Sequence, residues 1–158
     1  MSIKTSDNYF ILVLESKIMN IKKTISKIPI YKLNSKEKIL DYYANWTNQD
    51  KYNKDMIDWD YQAPTNSSLL LNKYNSNKNI KILDAGCGSG LVGKELKSMG
   101  YNDITGVDFS KEMLELIPCN IYNKLDLIDL NSPLEYQTNS FDNIICVGTF
   151  TFGHVKAH

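Results

Sequence analysis

Arginine is absent from this chain: all 18 basic residues are lysines, balanced by 18 acids to a formal net charge of zero. Without arginine there is no planar fork for bidentate recognition of phosphate or guanine. Zero net charge argues against nucleic acid or an anionic membrane as a partner held by bulk electrostatics. Histidine is scarce, with His154 and His158 both at the far end. The three cysteines, Cys87, Cys119 and Cys146, make no C-x-x-C pair and no even disulfide set. No metal site is expected from so few ligands, and a reducing, cytoplasmic setting fits the free thiols. Long apolar runs are missing too. The longest, Phe10–Leu14, is far too short to span a bilayer and lacks the flanks of a secretory leader, so no membrane association is expected.

What is present suits a folded domain. The chain has 158 residues, 42% hydrophobic and 11% aromatic, enough for one domain that buries roughly two-thirds of its unfolded surface. Residues 1–34 read as an N-terminal extension. Within it Leu14, Ile18, Ile21, Ile25 and Ile28 fall on one helical face, and Pro29 ends the pattern. Residues 36–75 read as broken helices. One follows Ser35 as N-cap with Ile39, Leu40, Tyr43 and Trp46, and a second runs from Asp50 to Trp59. Pro64 punctuates, and Thr65 caps a third helix carrying Leu69, Leu70, Leu71 and Tyr74.

From residue 80 strands and short helices alternate. Ile80–Asp84 reads as a strand, Leu91–Met99 as a helix closed by Gly100, and Asp103–Phe109 as a second strand. A short helix capped by Ser110 and stopped at Pro118 follows. Lys124–Leu130 and Phe141–Phe150 complete four strands. Such alternation predicts a parallel sheet with right-handed crossovers.

Between the first strand and its helix lies Asp84-Ala85-Gly86-Cys87-Gly88-Ser89-Gly90. Glycines there permit a sharp turn and close ligand approach, and the following helix offers N–H groups to an anion. Asp108 ends the next strand, where a carboxylate can accept hydrogen bonds from ribose hydroxyls. Together these residues describe a site for a nucleoside-bearing cofactor. Gly88-x-Gly90-x-x-Gly93 also satisfies a dinucleotide fingerprint, which leaves a nicotinamide or flavin oxidoreductase as the remote alternative. Asp84 favours the other choice. A carboxylate two residues before the first glycine repels a pyrophosphate and suits a ligand carrying an ammonium group, such as the methionine end of S-adenosylmethionine.

ILDAGCGSG, GVDFSKEML, LIDLNSPL and SFDNIICVGTFTFGHV together resemble the class I S-adenosylmethionine-dependent methyltransferases. The similarity is strongest to the Williams–Beuren-syndrome-region methyltransferase-like subgroup, whose lead-in helices YYANW, YNKDM and DYQAP also resemble. The resemblance runs from about residue 35 to the end and makes 35–158 the donor-binding domain. It implies an α/β fold, a Rossmann-like three-layer α/β/α sandwich preceded by helices. The family's sheet is seven-stranded, ordered 3-2-1-4-5-7-6; this sequence stops just beyond strand four, an apparently truncated, C-terminally incomplete version with order 3-2-1-4.

The resemblance also implies roles. Asp84 and the Gly86 main chain would face the methionine ammonium and carboxylate, with Gly88 and Gly90 leaving room for the ligand. Asp108 would bind the ribose diol, Phe109 would line the adenine, Asp129 and the Leu130 backbone would read the adenine amino edge, and Val147 would pass beneath the sulfonium. Tyr43 and Tyr52 match aromatic positions that close over the donor. The implied activity is in-line methyl transfer to a small-molecule acceptor, with no metal and no assigned catalytic residue; His154 is the one histidine placed to serve as a base. The alternative is a non-catalytic or truncated donor-binding protein, with donor binding but weak or absent turnover. Strand four is expected to be an open apolar edge, covered by the N-terminal extension or by another chain, and thereby a route to self-association.

Overall fold

The computed structural model describes residues 10–12, 29–33, 35–150 and 155. The amphipathic helix expected over residues 14–28, and both histidines, lie outside the described residues. Pro29–Lys32 forms a single 3-10 turn.

Three helices lead in. Helix α1 (Lys36–Thr47) starts at Ser35, which is extended and whose side chain accepts from the Lys38 N–H as expected. Gln49 and Asp50 then take positive φ values of 54° and 58°, breaking the path before α2 (Lys51–Asp58). Helix α3 spans Ala63–Tyr74 and begins earlier than expected. Pro64 sits inside its first turn, where a missing N–H costs nothing, so it opens the helix instead of punctuating it. Thr65 is not the cap; its hydroxyl donates across to Glu95 Oε1 at 3.1 Å, tying α3 to the helix beyond the glycine loop.

The sheet is parallel throughout. Its strands are β1 (Phe10–Leu12), β2 (Lys81–Ala85), β3 (Asp103–Asp108), β4 (Lys124–Leu127) and β5 (Asn143–Cys146), in the spatial order β1-β5-β2-β3-β4. Read without β1, this is the expected order 3-2-1-4. The difference lies at the edge. Phe10, Ile11 and Leu12 pair with Ile144, Ile145 and Cys146, so the N-terminal segment covers the β5 edge along that stretch, the first of the two covers expected for it. The ground for self-association through it is removed there.

Alternation along the central strands divides the core. Ile82, Ile104 and Ile145 face Leu71 of α3, Val92 and Leu96 of α4 (Leu91–Ser98), and Tyr101, Ile117 and Tyr122. On the opposite face Leu83, Ala85 and Val107 are covered by Ile128, Leu130, Tyr136 and Phe141. The short α5 (Lys111–Glu115) is capped by Ser110, whose hydroxyl accepts from the Met113 N–H, as the sequence predicts. Gly100 follows α4 at φ 92°, and Tyr101 behind it is fully buried, donating to the Asn75 carbonyl at 3.0 Å.

Parallel register sets the carboxyl ends of β2, β3, β4 and β5 side by side. The glycine loop, Asp108–Phe109, Asp129–Leu130 and Val147 therefore gather at one end of the sheet. Crossovers from β2 lead to β3 on one side while β5 lies on the other, which is the topological switch point where open α/β sheets bind ligands.

Candidate functional site

The glycine loop is tied down by its own backbone. The Gly86 and Cys87 N–H groups both donate to the Val107 carbonyl, at 2.8 and 2.9 Å, and Gly90 N–H donates to the Cys87 carbonyl at 2.8 Å. Gly88 N–H donates to Asp108 Oδ2 at 2.9 Å, and Gly93 N–H, in the first turn of α4, donates to the Tyr122 hydroxyl at 3.1 Å. These amides already have protein acceptors. Of the first turn of α4, which is expected to offer its N–H groups to an anion, the Gly93 amide is engaged in this way.

Each glycine has its own reason. Gly86, at φ 79°, leaves no space for a side chain, since a Cβ there would meet Thr149 Oγ1 at 2.1 Å. A Cβ on Gly90 would meet Ile117 at 3.1 Å and Tyr122 at 3.3 Å, so the side-chain direction at Gly90 faces protein atoms. Gly88 alone of the three borders open space, with nothing within 4 Å of a would-be Cβ.

Asp84 and Asp108 lie beneath and beside this loop. Asp84 is 1% exposed; its Oδ2 accepts from the Tyr122 hydroxyl at 2.6 Å, while Oδ1 is buried with no hydrogen-bond partner. Burial, opposed by the Tyr122 bond and reinforced by the charge of Asp108, pushes its carboxyl up to about 7. The repulsion that Asp84 was expected to exert on a pyrophosphate is thereby weakened near neutral pH. Asp108 is also buried and raised by desolvation, against hydrogen bonds from backbone amides; its Oδ1 accepts from Ser110 N–H at 2.9 Å. Carboxylate oxygens carry two lone pairs each, so both retain acceptor capacity for hydroxyls.

The adenine side is assembled less tightly. Phe109 is half-buried, with Tyr43 of α1 edge-on at 6.3 Å; Tyr43 in turn meets Tyr52 at 6.4 Å, and Trp46 meets Tyr52 at 4.9 Å. The lead-in aromatics thus reach the carboxyl end of β3. Asp129 is held by the Lys36 ammonium at 2.7 Å and by the Asn131 amides, which keep its carboxyl below the usual range. Leu130 packs on the face opposite Asp84, and Val147 packs against the α3–α4 core.

Two contacts were not found from sequence. Ser89 in the loop donates to Asn53 Oδ1 on α2 at 2.6 Å, and Tyr122 bridges Asp84 and Gly93. Asn53 lies within YNKDM, but nothing in that motif names its partner, and Tyr122 lies in no recognised motif. Tyr122 fills the space beside Gly93 and Gly106, a relation that only the fold reveals.

A family profile described as a methyltransferase domain matches residues 82–158. Methyltransferase-like protein 27 of Homo sapiens is 32% identical over 123 residues, covering 75% of this chain and 49% of that protein. Residues 82–158 are a methyltransferase domain. A further relative of this methyltransferase domain, EEF1A lysine methyltransferase 2 of Danio rerio, is 38% identical over 82 residues, covering 48% of this chain and 35% of that one. Among solved structures it is similar to magnesium protoporphyrin IX methyltransferase from Synechocystis PCC 6803 with bound SAH. The TM-score is 0.48 and the identity 20%, over 78% of this chain and 57% of that chain. The chain spans about half the length of methyltransferase-like protein 27. No described helix is long and apolar enough to cross a membrane.

Proposed function

We propose that this chain binds S-adenosylmethionine over the glycine loop and transfers its methyl group to a small-molecule acceptor in the cytoplasm. The observation that carries the reading is the inward engagement of the loop amides beside two buried carboxylates. Such a site disfavours a pyrophosphate and favours a ligand with a cation and hydroxyls. The methyltransferase domain points the same way.

The residues present fit the donor. The Asp84 Oδ1 atom is an orphaned acceptor, a state that costs roughly 1–3 kcal/mol unless a ligand or water satisfies it. A donor ammonium is one such ligand. Asp108 would accept the ribose hydroxyls while continuing to hold Gly88. Phe109, with Tyr43 behind it, would flank the adenine, and Asp129 would exchange Lys36 for the adenine amino group. Gly88 leaves the open space through which the ligand approaches, Val147 would pass beneath the sulfonium, and the Leu130 backbone would join Asp129 at the adenine amino edge. The bound donor supplies a methyl group already activated by its sulfonium. The chain's own work is to align the two reactants and exclude water, which can account for several orders of magnitude of rate.

Residues 35–158 form the donor-binding unit in this reading. Titrating S-adenosylmethionine, S-adenosylhomocysteine and a nicotinamide dinucleotide separately into the chain tests it. Binding of the first two and not the third is expected. Preference for the dinucleotide would return the oxidoreductase alternative.

A further inference from the structure

Tyr122 belongs to none of the motifs discussed above, yet it touches three elements of the site at once. Its hydroxyl donates to Asp84 Oδ2 at the end of β2 and accepts from Gly93 N–H in α4, at 2.6 and 3.1 Å. Its ring occupies the volume that side chains on two glycines would need: a Cβ on Gly93 would lie 2.2 Å from the ring Cζ, and one on Gly106 in β3 would lie 3.0 Å from Cε1. Tyr122 is itself buried, 9% exposed. It is therefore a wedge with a polar tip, seated between the strand that carries Asp84 and the helix that follows the loop.

The chemistry of the tip is directional. A phenol that receives the Gly93 amide on its oxygen has its own proton left for one acceptor, and that acceptor is Asp84 Oδ2. The bond fixes the plane of the carboxylate, takes up one oxygen and leaves Oδ1 alone. It also favours the ionised carboxylate over the protonated one, because only the former accepts freely. The other groups that bear on Asp84 act in the opposite sense or are neutral thiols. Asp108 at the end of β3 raises it, while Cys87, buried in the loop, and Cys146, half-buried on β5, are thiols pushed up by desolvation. Within this set Tyr122 is the group that holds the charge on Asp84.

We propose that Tyr122 is a positioning residue for the donor site, acting through Asp84: its hydroxyl orients the carboxylate and keeps it ionised so that the remaining oxygen meets the donor's ammonium group. The proposal rests on the donor reading above and deepens it. It makes donor affinity a function of the ionisation of Asp84, and makes that ionisation a function of a residue 38 positions away. A purely structural wedge has neither consequence.

The test uses S-adenosylhomocysteine, which carries the same amino-acid end and is chemically stable. Its affinity is measured by calorimetry from about pH 5.5 to 8.5 on the whole chain, for wild type and Tyr122→Phe. The phenylalanine keeps the ring and removes the hydroxyl. Wild type is expected to bind more tightly as pH rises through the Asp84 midpoint. In Tyr122→Phe the midpoint moves up by about one unit, which lowers affinity about fivefold near pH 7 and leaves it close to wild type at the alkaline end. The carboxyl carbon resonance of Asp84, identified by its loss in Asp84→Asn, should show the same upward displacement without ligand.

A lowered melting temperature with the midpoint unmoved overturns the proposal alone. No binding by folded wild type at any pH removes the donor reading, and the proposal with it. Should Tyr122→Phe fail to fold, Asp84→Asn decides: its binding is expected to be weak and flat with pH, and a surviving pH dependence overturns the proposal.

Discussion

Asp108 Oδ2 accepts the Gly88 backbone N–H at 2.9 Å, joining the end of β3 to the middle of the glycine loop. The same carboxylate receives Ser110 N–H on its other oxygen. One acid thus shapes the loop, caps the turn into α5 and, in the proposed function, binds the donor ribose. Asp108→Ala is expected to weaken S-adenosylmethionine by roughly 1.5–3 kcal/mol, through loss of charged hydrogen bonds and of loop geometry. Asp108→Asn, which keeps one carbonyl oxygen, should lose less. Calorimetry on both folded variants checks this ordering.

Gly88 and Gly93 should fail in different ways. Gly88→Val enters open space at a φ of 52°, so its main effect is to obstruct the ligand, with a modest strain penalty. Gly93→Ala drives a methyl group into the Tyr122 ring and should lower stability by about 1–3 kcal/mol. Denaturant melts and donor titrations on the two variants should separate affinity loss from stability loss. Equal effects on both properties would contradict the assignment of space around the loop.

These two glycines show how far the sequence could be read. The strand–loop–helix unit was legible because its signals are local: an apolar run, three closely spaced glycines, then a helical face. The parallel sheet followed from alternation with helices, and the order of its four expected strands from the family resemblance alone. What each glycine accommodates was not legible, because Thr149, Ile117 and Tyr122 come from distant segments. That the N-terminal extension could cover β5 was foreseen, but the pairing residues Phe10–Leu12 were not, because a short apolar run carries no record of its partner strand. The start of α3 was misplaced because proline ends helices in their interiors but is tolerated in a first turn, and only the backbone tells the two apart.

Stability should carry the signature of Asp84. Its folded carboxyl sits at about 7, against an unfolded value near 3.9. Between those values the folded state binds more protons than the unfolded state, so this group's contribution to stability falls as pH rises from about 4 to about 7 and stays low above that. Asp129, Asp126 and Asp55 are lowered and act in the opposite direction, losing their contribution as pH falls. The difference between wild type and Asp84→Asn isolates the effect. Urea melts are expected to show the variant gaining on wild type with rising pH, by a few kcal/mol at pH 8.

Lys36 and Asp129 form a partly exposed ion pair, the lysine side chain 52% accessible. Breaking it should change stability by less than about 1 kcal/mol. Lys36→Ala is expected to leave donor affinity undiminished, because it frees the Asp129 carboxylate, whereas Asp129→Ala should weaken the donor. A matching loss in both variants would mean that the pair itself, and not Asp129 alone, builds the adenine side.

The central claim is that the glycine loop, its amides engaged inward and its carboxylates beneath, holds a cationic nucleoside ligand and not a dinucleotide. Calorimetric titration of the folded chain with S-adenosylhomocysteine, repeated with Asp108→Ala, tests it most directly. The account predicts one site per chain, at least tenfold weaker in the variant, and no heat from a nicotinamide dinucleotide. Absence of binding by wild type, or equal affinity in wild type and variant, would contradict it.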